Sequence, residues 1–297
     1  MSSSSPISVS IIIPTWNRAS LIGETISSIV AQTYPHWELI IADDGSDDAT
    51  ETVVAGFADK RIRYLRLAHT GIGGKTKNAA LRETTGDCIA FNDSDDLWHP
   101  EKLEKQLQAL QQNPAAFFCL TGGYNFRSPG IAVEYFYKDA SGVHCGFLFD
   151  AIFDSKIACF TQTLLVKREC LAKLIQFSEE GDFSDIDFIA RLAYHFKGLV
   201  LFEPLLFRRL HAANYIHHNT WQSSYRQGAQ LISDYRKQGL LNSSRARQAA
   251  FRLYINYGEK SLLHKKKLLA LGCFFKAWRQ QPFSSISFKK MVKALIR

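Results

Sequence analysis

Three aspartates within four residues, Asp93, Asp95 and Asp96, are the part of this sequence with the most readily interpreted chemistry. They directly follow the apolar run "CIAF" and precede Trp98. Hard divalent cations such as Mg²⁺ and Mn²⁺ prefer carboxylate oxygens, together with water and substrate phosphates. The group is therefore a candidate Mn²⁺ or Mg²⁺ site for a diphosphate substrate, with a solvated acidic turn as the alternative. A calcium-binding loop is excluded, because its sixth position requires glycine and the sixth residue counted from Asp93 is Trp98.

A second acidic stretch, "DDGSDD" from Asp43 to Asp48, follows another apolar run. Residues 46–48 are predicted to cap the next helix, because such side chains accept hydrogen bonds from the free N–H groups at a helix start. Asp43 and Asp44 lie earlier, at the predicted strand end. A carboxylate at that point could accept an imide N–H from the edge of a uracil.

The stretch "HTGIGGKT", which begins at His69, almost matches a phosphate-binding loop. The required spacing, GxxxxGK[ST], would need glycine at position 69, so the match fails. A flexible loop is the better interpretation of this stretch. Lys75 and Lys77 remain candidates for phosphate contacts.

The elements that must position these residues follow from the pattern of the first 113 residues. Strands are predicted over "ISVSIIIP", "WELIIA", "RIRYLRL" and "DCIAF", and helices over 20–32, 49–57, 76–84 and 100–112. This alternation predicts an α/β fold with a mostly parallel sheet and helices on both faces. The two acidic stretches follow the second and fourth strands at their carboxyl ends, where open α/β sheets bind ligands.

The middle of the chain, residues 115–210, is less regular. It combines the predicted strands "IAVEYFY", "IACFTQTLLV" and "GLVLFEPL" with one acidic helix over 184–195. This mixture predicts an α+β extension that carries the second half of a site. After about residue 213 the chain is predicted to be helical.

The charge distribution is uneven. Residues 236–297 contain fifteen Lys/Arg and one acid, which gives this segment a net charge of +14. Because the whole chain has a net charge of +8, the other residues together have a net charge of −6. The last helix alternates apolar residues at helical spacing with cations: Phe288, Met291, Val292, Leu295 and Ile296 against Lys289, Lys290, Lys293 and Arg297. Such helices lie on anionic membrane surfaces. Packing onto the domain or onto a second subunit in a homodimer is the alternative. Nucleic acid is not expected, because no nucleic-acid module is recognisable.

The remaining composition indicates a cytoplasmic protein. The six cysteines are scattered, without a CxxC pair, which favours reduced thiols. The start "MSSSSPIS" has neither a basic nor an apolar signal-peptide region. No apolar run approaches the ~20 residues of a membrane-spanning helix.

Four blocks of the sequence together resemble a known family. They are "VSIIIPTWNR", "ADDGSDDAT", "KNAALRETTGDCIAFNDSDDLWHPEKLEKQ" and "FSDIDFIARLA". In this order and spacing they resemble inverting family 2 glycosyltransferases with the GT-A fold. The likeness covers residues 7–215, divided into a nucleotide-binding half (7–113) and an acceptor half (114–215). Residues 1–6 are then a disordered tail, and residues 216–297 are a basic helical C-terminal extension.

The resemblance implies a role for each matching residue. It assigns the nucleotide pocket to Pro14, Thr15 and Asn17, the uracil to Asp44, further donor contacts to Lys77, Asp93, Asp95 and Arg209, the metal to Asp96, Asp95 and His211, and the catalytic base to Asp185. The sequence departs from the family pattern at Trp16, where tyrosine is usual, at Lys77, where arginine is frequent, and at Ser184, where glutamate often precedes the base. Asp182 and Asp187 are the alternative bases.

The resemblance thus implies a metal-dependent, inverting glycosyltransferase that uses a nucleotide-sugar donor, with UDP-sugar expected. A saccharide or lipid-linked acceptor at the inner face of the plasma membrane is the expectation that joins this activity to the basic extension. A catalytically silent nucleotide-binding or scaffold protein is the non-enzymatic alternative. A peptide acceptor is the alternative within the enzymatic interpretation.

Overall fold

The computed structural model describes residues 6–128, 130–154, 156–174, 176–180, 184–211 and 221–296. The chain divides into two compact units, Met1–His211 and Ala212–Arg297. Residues 1–5 of the predicted disordered tail lie outside the described residues, and so does the predicted boundary at residue 215.

The first unit begins with strands and helices in alternation, as the sequence pattern predicts. In chain order these are β1 (Val9–Thr15), α1 (Ile22–Val30), β2 (Trp37–Asp43), α2 (Thr50–Ala55), β3 (Ile62–Arg66), α3 (Gly73–Arg82), β4 (Cys88–Phe91), β5 (Leu97–Trp98) and α4 (Lys102–Gln112). The same unit continues with β6 (Phe118–Phe126), β7 (Ala132–Tyr135), β8 (Val143–Gly146), α5 (Phe149–Phe153), β9 (Leu165–Lys167), α6 (Leu171–Leu174), α7 (Ser184–His195) and β10 (Gly198–Arg209). Short 3-10 turns, Thr161–Thr163 and Arg168–Cys170, precede and follow β9.

All ten strands form one sheet, in the order β3-β2-β1-β4-β9-β6-β10-β5, with β7 beside β6 and β8 beside β10. The three longest ladders, β6 with β10, β1 with β2 and β2 with β3, are parallel, and β1 also pairs in parallel with β4. Strand β9 is antiparallel to both of its neighbours, β4 and β6. Parallel pairing therefore brings the ends of β1, β2 and β4 to one edge of the sheet, where the acidic stretches begin.

Apolar side chains cover both faces of this sheet. Alternate residues of β1 and β2 point to one face, because successive side chains of a strand alternate. There they form one core cluster with apolar residues of α1, α2 and α4. On the other face, Phe91 at the end of β4 meets Phe177 and Phe188, which stack at 4.1 Å between ring centroids. The predicted α/β fold with helices on both faces is confirmed.

The elements β6, β8 and α5 were not indicated by the sequence pattern, and two of the predicted segments differ in the structure. The stretch "IACFTQTLLV" is not one strand, because the polar residues 161–163 form a buried 3-10 turn and pairing begins only at Leu165. The helix predicted from Thr76 starts earlier, at Gly73, so the glycine-rich loop is partly helical. Gly74 is needed there, because an added Cβ would lie 2.1 Å from the Ser178 carbonyl oxygen.

The second unit is helical, as predicted. It contains α8 (Trp221–Lys237), α9 (Ser243–Leu263), α10 (Lys267–Gln280) and α11 (Ser285–Ile296). Asn242 caps α9 by accepting the Arg245 N–H at 2.9 Å. Ala270, Phe274 and Ala294 form a small core between α10 and α11. None of the helices in the described ranges is both long and apolar enough to cross a membrane.

Candidate active site

The carboxylates of Asp93, Asp95 and Asp96 converge in the turn that follows β4. Each offers one oxygen, and these three oxygens lie within 4.8 Å of one another. Asp95 and Asp96 are buried, with 9% and 2% of their surface exposed. The three aspartates, which are close in the sequence, thus form one cluster of potential oxygen ligands.

Electrostatics make this cluster unfavourable without a cation. Burial raises the pKa of Asp93 to about 6, with Asp95 and Asp185 adding to the rise and Lys77 opposing it. Burial, followed by repulsion from Asp95 and Asp93, raises the pKa of Asp96 well above its usual range. Three close oxygen ligands of negative charge are the donor set that Mn²⁺ or Mg²⁺ prefers, so the residues present fit such an ion.

Asp185, the predicted base, lies in the first turn of α7 and is held by two side chains. The Lys77 ammonium of α3 lies 2.5 Å from Asp185 Oδ1, and the Thr161 hydroxyl donates to Oδ2 at 3.0 Å. The carboxylate nevertheless keeps 31% of its side-chain surface exposed. Burial alone would lower the pKa of Lys77, but the Asp185 and Asp93 carboxylates more than offset this and raise it. Lys77 is therefore a cation paired with Asp185, whereas the sequence pointed only to a donor contact.

The two alternative bases are placed differently. The Asp187 carboxylate pairs with Arg191 one helical turn further along α7, at 2.7 Å. Asp182 lies outside the described residues. Of these two described aspartates, Asp185 is the one that pairs with Lys77, whose charge also acts on Asp93.

Residues at and just after the end of β10 also contact the carboxylate turn. The Arg209 backbone N–H donates to Asp96 Oδ1 at 2.8 Å, and its guanidinium pairs with Glu24 at 2.6 Å. His211 Nε2 lies 2.9 Å from Asp95 Oδ2. Both of these residues, which the family resemblance assigned to the donor and the metal, thus contact the carboxylate turn.

Arg208 is a further cation that the sequence analysis did not select. Its guanidinium lies 4.8 Å from the centre of the Phe160 ring. Its charge acts on both Asp93 and Asp96, where it lowers the pKa against the larger effect of burial. Within the described ranges it has no ion pair, whereas neighbouring Arg209 points to Glu24. Alternation along β10 explains why the two arginines face different surroundings.

The predicted nucleotide pocket lies at the ends of β1 and β2. Pro14 and Thr15 end β1, and Asn17 follows with φ 50°, a left-handed conformation that asparagine tolerates. The Asn17 side chain donates to Asp47 Oδ1 at 2.7 Å and accepts its N–H at 3.0 Å. The N-cap position of α2 is Ala49, which makes no side-chain cap bond. Of the residues expected to cap, only Asp48 accepts a helix N–H, from Thr50 at 2.9 Å, whereas Ser46 and Asp47 bond to Asp43 and Asn17.

Asp44 organises the loop that follows β3. Its carboxylate accepts the N–H groups of Thr70 and Gly71 at 2.9 and 2.8 Å. His69 Nδ1 lies 3.0 Å from the same carboxylate, and the His69 ring stacks on Trp16 at 4.9 Å. The predicted flexible loop is therefore tied to the strand end that carries Asp44.

Sequence reasoning also missed Thr161 and Gln162. Thr161 contacts Asp185, and the Gln162 amide donates to Asp93 Oδ2. Both side chains are buried, with 0% and 5% exposed. Three successive polar residues inside an otherwise apolar run were the available signal, since buried polar side chains need partners.

Comparison with known proteins matches the part of the chain that contains the carboxylate turn to a family. Residues 10–136 match the family model described as "Glycosyl transferase family 2". This segment is similar to glycosyl transferase family 2 domains. It contains β1 to β7, and with them the carboxylate turn of Asp93, Asp95 and Asp96. The resemblance seen in the sequence is confirmed.

Curated relatives carry glycosyltransferase names. One is "Putative teichuronic acid biosynthesis glycosyltransferase TuaG" of Bacillus subtilis (strain 168), 33% identical over 54% of this chain and 62% of its own length. Another is "UDP-Glc:alpha-D-GlcNAc-diphosphoundecaprenol beta-1,3-glucosyltransferase WfgD" of Escherichia coli, 41% identical over 37% of this chain and 43% of its own. The chain therefore spans about half the length of these relatives.

Solved structures share the architecture over almost the whole chain. S. aureus TarS 1-349 in complex with UDP-GlcNAc superposes with a TM-score of 0.71 at 18% identity, covering 97% of this chain and 89% of that one. The mannosyltransferase PcManGT from Pyrobaculum calidifontis, in complex with GDP-Man and Mn²⁺, gives 0.57 at 16% identity, covering 99% and 87%. At these identities the likeness concerns the fold, and it confirms the expected GT-A type.

Proposed function

We propose that this protein is a metal-dependent, inverting glycosyltransferase that moves a sugar from a UDP-sugar to an acceptor hydroxyl during bacterial cell-surface polysaccharide synthesis. The observation that carries the proposal is the arrangement of two carboxylate sets on different elements. Asp93, Asp95 and Asp96 follow β4, and Asp185 lies in the first turn of α7, where it pairs with Lys77, whose charge also acts on Asp93. The family 2 domain and the named relatives support the same activity.

Inversion at an anomeric carbon requires in-line attack by a hydroxyl whose proton is removed by a base. Asp185 is the candidate for that base, because its carboxylate is partly exposed and fixed at both oxygens. The hydroxyl would donate its proton to this carboxylate as the oxygen attacks the sugar. Held geometry contributes to the rate, because the reacting groups need not be ordered again in each turnover.

The leaving diphosphate develops negative charge on the opposite side of the sugar. Asp93, Asp95 and Asp96 are the residues that would hold a Mn²⁺ or Mg²⁺ ion, with His211 beside Asp95. Such an ion supplies Lewis-acid stabilisation of the leaving oxygen when bound. Arg208 is positioned near the same carboxylates and is proposed to contact the diphosphate. For the nucleoside we propose Pro14, Thr15, Asn17 and Asp44 as the pocket, at the carboxyl ends of β1 and β2.

The experiment is UDP release from UDP-glucose and UDP-GlcNAc, measured with and without Mn²⁺, for the wild type and Asp185→Asn. We expect metal-dependent UDP release by the wild type and loss of this release in Asp185→Asn. The two proteins should bind UDP with the same affinity. Near wild-type turnover of the variant would place the base elsewhere. Binding without metal-dependent turnover of any UDP-, GDP- or dTDP-sugar would favour the non-catalytic alternative. Turnover that requires a peptide would favour the peptide acceptor.

We further propose that the second unit binds the anionic cytoplasmic face of the membrane, which would bring the site to a lipid-linked acceptor. The relative WfgD is named for an acceptor of that type. Several large apolar side chains of the second unit are exposed, among them Leu268 at 86%, Phe275 at 50% and Phe288 at 63%. After Glu259 the chain contains ten Lys/Arg and no acid. Exposed apolar groups among cations favour an anionic lipid surface over a second copy of the same basic unit.

Flotation with vesicles of phosphatidylglycerol and phosphatidylcholine tests this proposal. We expect binding that weakens in high salt and is lost in Phe275→Ser/Phe288→Ser. The matched control is Ile131→Ser/Val133→Ser, which removes two exposed apolar side chains of the first unit. Equal loss in both double variants, or a dimer of the wild type that forms without vesicles and is broken by the Phe variants, would contradict the membrane proposal.

A further inference from the structure

Two carboxylates of the candidate site, those of Asp93 and Asp185, accept hydrogen bonds from adjacent residues of one turn. Thr161 Oγ1 donates to Asp185 Oδ2 at 3.0 Å, while the amide of Gln162 donates to Asp93 Oδ2. Asp93 and Asp185 belong to distant parts of the chain, at the end of β4 and the start of α7. The turn is therefore a direct physical link between the donor side and the acceptor side of the proposed site.

The turn itself is buried and firmly held. The backbone carbonyl oxygen of its third residue, Thr163, accepts from the Gln106 amide of α4 at 2.9 Å. Strand β9 begins two residues later and pairs on both sides. A turn supported in this way can fix the orientation of what it contacts.

The Asp185 carboxylate needs such an anchor. Its Oδ1 lies against the Lys77 ammonium, and a single point contact would leave the group free to rotate about its bond to Cβ. The Thr161 hydroxyl supplies a second contact, on the other oxygen. Two contacts define the plane of the carboxylate and so the direction of the lone pair that remains for a substrate proton.

We propose that Thr161 is a positioning residue for the base Asp185, and that the Thr161–Gln162 pair sets the orientation of Asp185 relative to Asp93. This inference rests on the proposed function, because it assumes that Asp185 accepts the acceptor's proton. It adds a specific requirement: the base must be held by the same turn that holds the donor-side carboxylate. Thr161 acts on the reaction only through Asp185.

The chain offers a matched pair of variants. Thr161→Val and Thr163→Val remove one hydroxyl each, from buried threonines two residues apart, with nearly the same change in shape. Only the first hydroxyl contacts a site carboxylate; the second bonds to Phe160. We expect Thr161→Val to lower kcat for UDP release from UDP-glucose or UDP-GlcNAc, with Mn²⁺, by about tenfold or more, because small misplacements of a reacting group have effects of that size.

The KM for the UDP-sugar should change less than twofold in Thr161→Val, and Thr161→Ser should restore most of kcat. Thr163→Val should retain the wild-type kcat. In the background of Asp185→Asn, Thr161→Val should cause no further loss, because residues that act through one group are not additive. Thermal melting of each variant identifies any loss of folded protein.

Three results would overturn the inference. One is a wild-type kcat in Thr161→Val while Asp185→Asn is inactive, which leaves the proposed function intact. Another is an equal loss in Thr161→Val and Thr163→Val, which indicates damage to the turn in general. The third is wild-type turnover of Asp185→Asn, which removes the base assignment itself. The first two outcomes are thus distinguishable from a failure of the proposed function.

Discussion

Lys102 in α4 is a buried lysine without a carboxylate partner among the described residues, and it makes a quantitative prediction possible. Its side chain is fully buried, and its ammonium donates to Gln106 Oε1 at 2.8 Å. The ammonium also lies 3.9 Å from the centre of the Trp98 ring. Burial lowers the pKa of Lys102 from 10.5 to about 7.

The magnitude follows from linkage between proton binding and folding. A pKa lowered from 10.5 to about 7 corresponds to about 5 kcal/mol against the charged form. The contact with Trp98 favours the charged form by about 0.5–2 kcal/mol and offsets only part of this. Between these two pKa values the unfolded chain binds more protons than the folded one, so the free energy of unfolding rises with pH.

Lys102→Met removes this dependence. Near pH 7 the variant gains about 4 kcal/mol by not having to discharge a lysine on folding, and it loses about 1–3 kcal/mol because Gln106 Oε1 is left without its donor. Near pH 10 the gain falls below about 1 kcal/mol. We therefore expect the variant to be more stable than the wild type at pH 7 and less stable at pH 10.

Urea unfolding from pH 6 to pH 10 measures this difference, and effects of other titrating groups cancel between the two proteins. Lys105→Met is the control on the same helix: its ammonium is partly exposed and pairs with Glu203 at 2.6 Å and Glu101 at 3.1 Å. These partners raise the pKa of Lys105, so its contribution is lost only above pH 10.5 and stays constant across the range. A constant difference between Lys102→Met and the wild type would refute the reasoning, because it would mean that Lys102 keeps its proton in the folded state.

Two further predictions concern the site and its frame. Arg208→Met should weaken UDP binding in the presence of Mn²⁺ by about ten- to a hundredfold, the range expected for a lost hydrogen bond to a charged group, with little change in melting temperature. Titration calorimetry measures this, and unchanged affinity would remove Arg208 from the diphosphate site. Gly74→Ala should destabilise the first unit, because the added Cβ would lie 2.1 Å from the Ser178 carbonyl oxygen, whereas Gly73→Ala meets nothing within 4 Å and should change stability by less than about 1 kcal/mol. Equal melting temperatures for the two alanine variants would contradict the close packing at Gly74.

The fold was predictable because its first half obeys local rules. Buried strands such as "VSIIIPT" have β-branched residues, and helices such as α4 have helical apolar spacing. The convergence of Asp93, Asp95 and Asp96 was also predictable, since all three follow one strand. What local rules cannot supply is the partner of a residue far away in sequence.

The contact between Lys77 and Asp185 illustrates this limit, because 108 positions separate the two residues. Sequence reasoning placed both residues in the site, but it gave Lys77 a contact with the donor and Asp185 the role of base, with no contact between the two. Thr161 and Gln162 were hidden for a different reason: an apolar run favours a strand, and only tertiary burial of three polar side chains turns it into a 3-10 turn. Arg208 was missed because the family likeness pointed to its neighbour.

The carboxylates of Asp93 and Asp96 reduce the stability of the folded chain when both are ionised. Burial and mutual repulsion raise the pKa of Asp93 and Asp96, which means that folding with both groups ionised has a free-energy cost. Lys77 and the Arg209 N–H reduce this cost, but the upward shifts show that they do not cancel it. A cluster that remains unfavourable after its neighbours have contributed is suited to a cationic ligand, because binding relieves repulsion that the folded chain has retained. The same reasoning explains why the anchoring contacts come from a rigid turn: an unsupported carboxylate under this repulsion would rotate away from the orientation that the reaction needs.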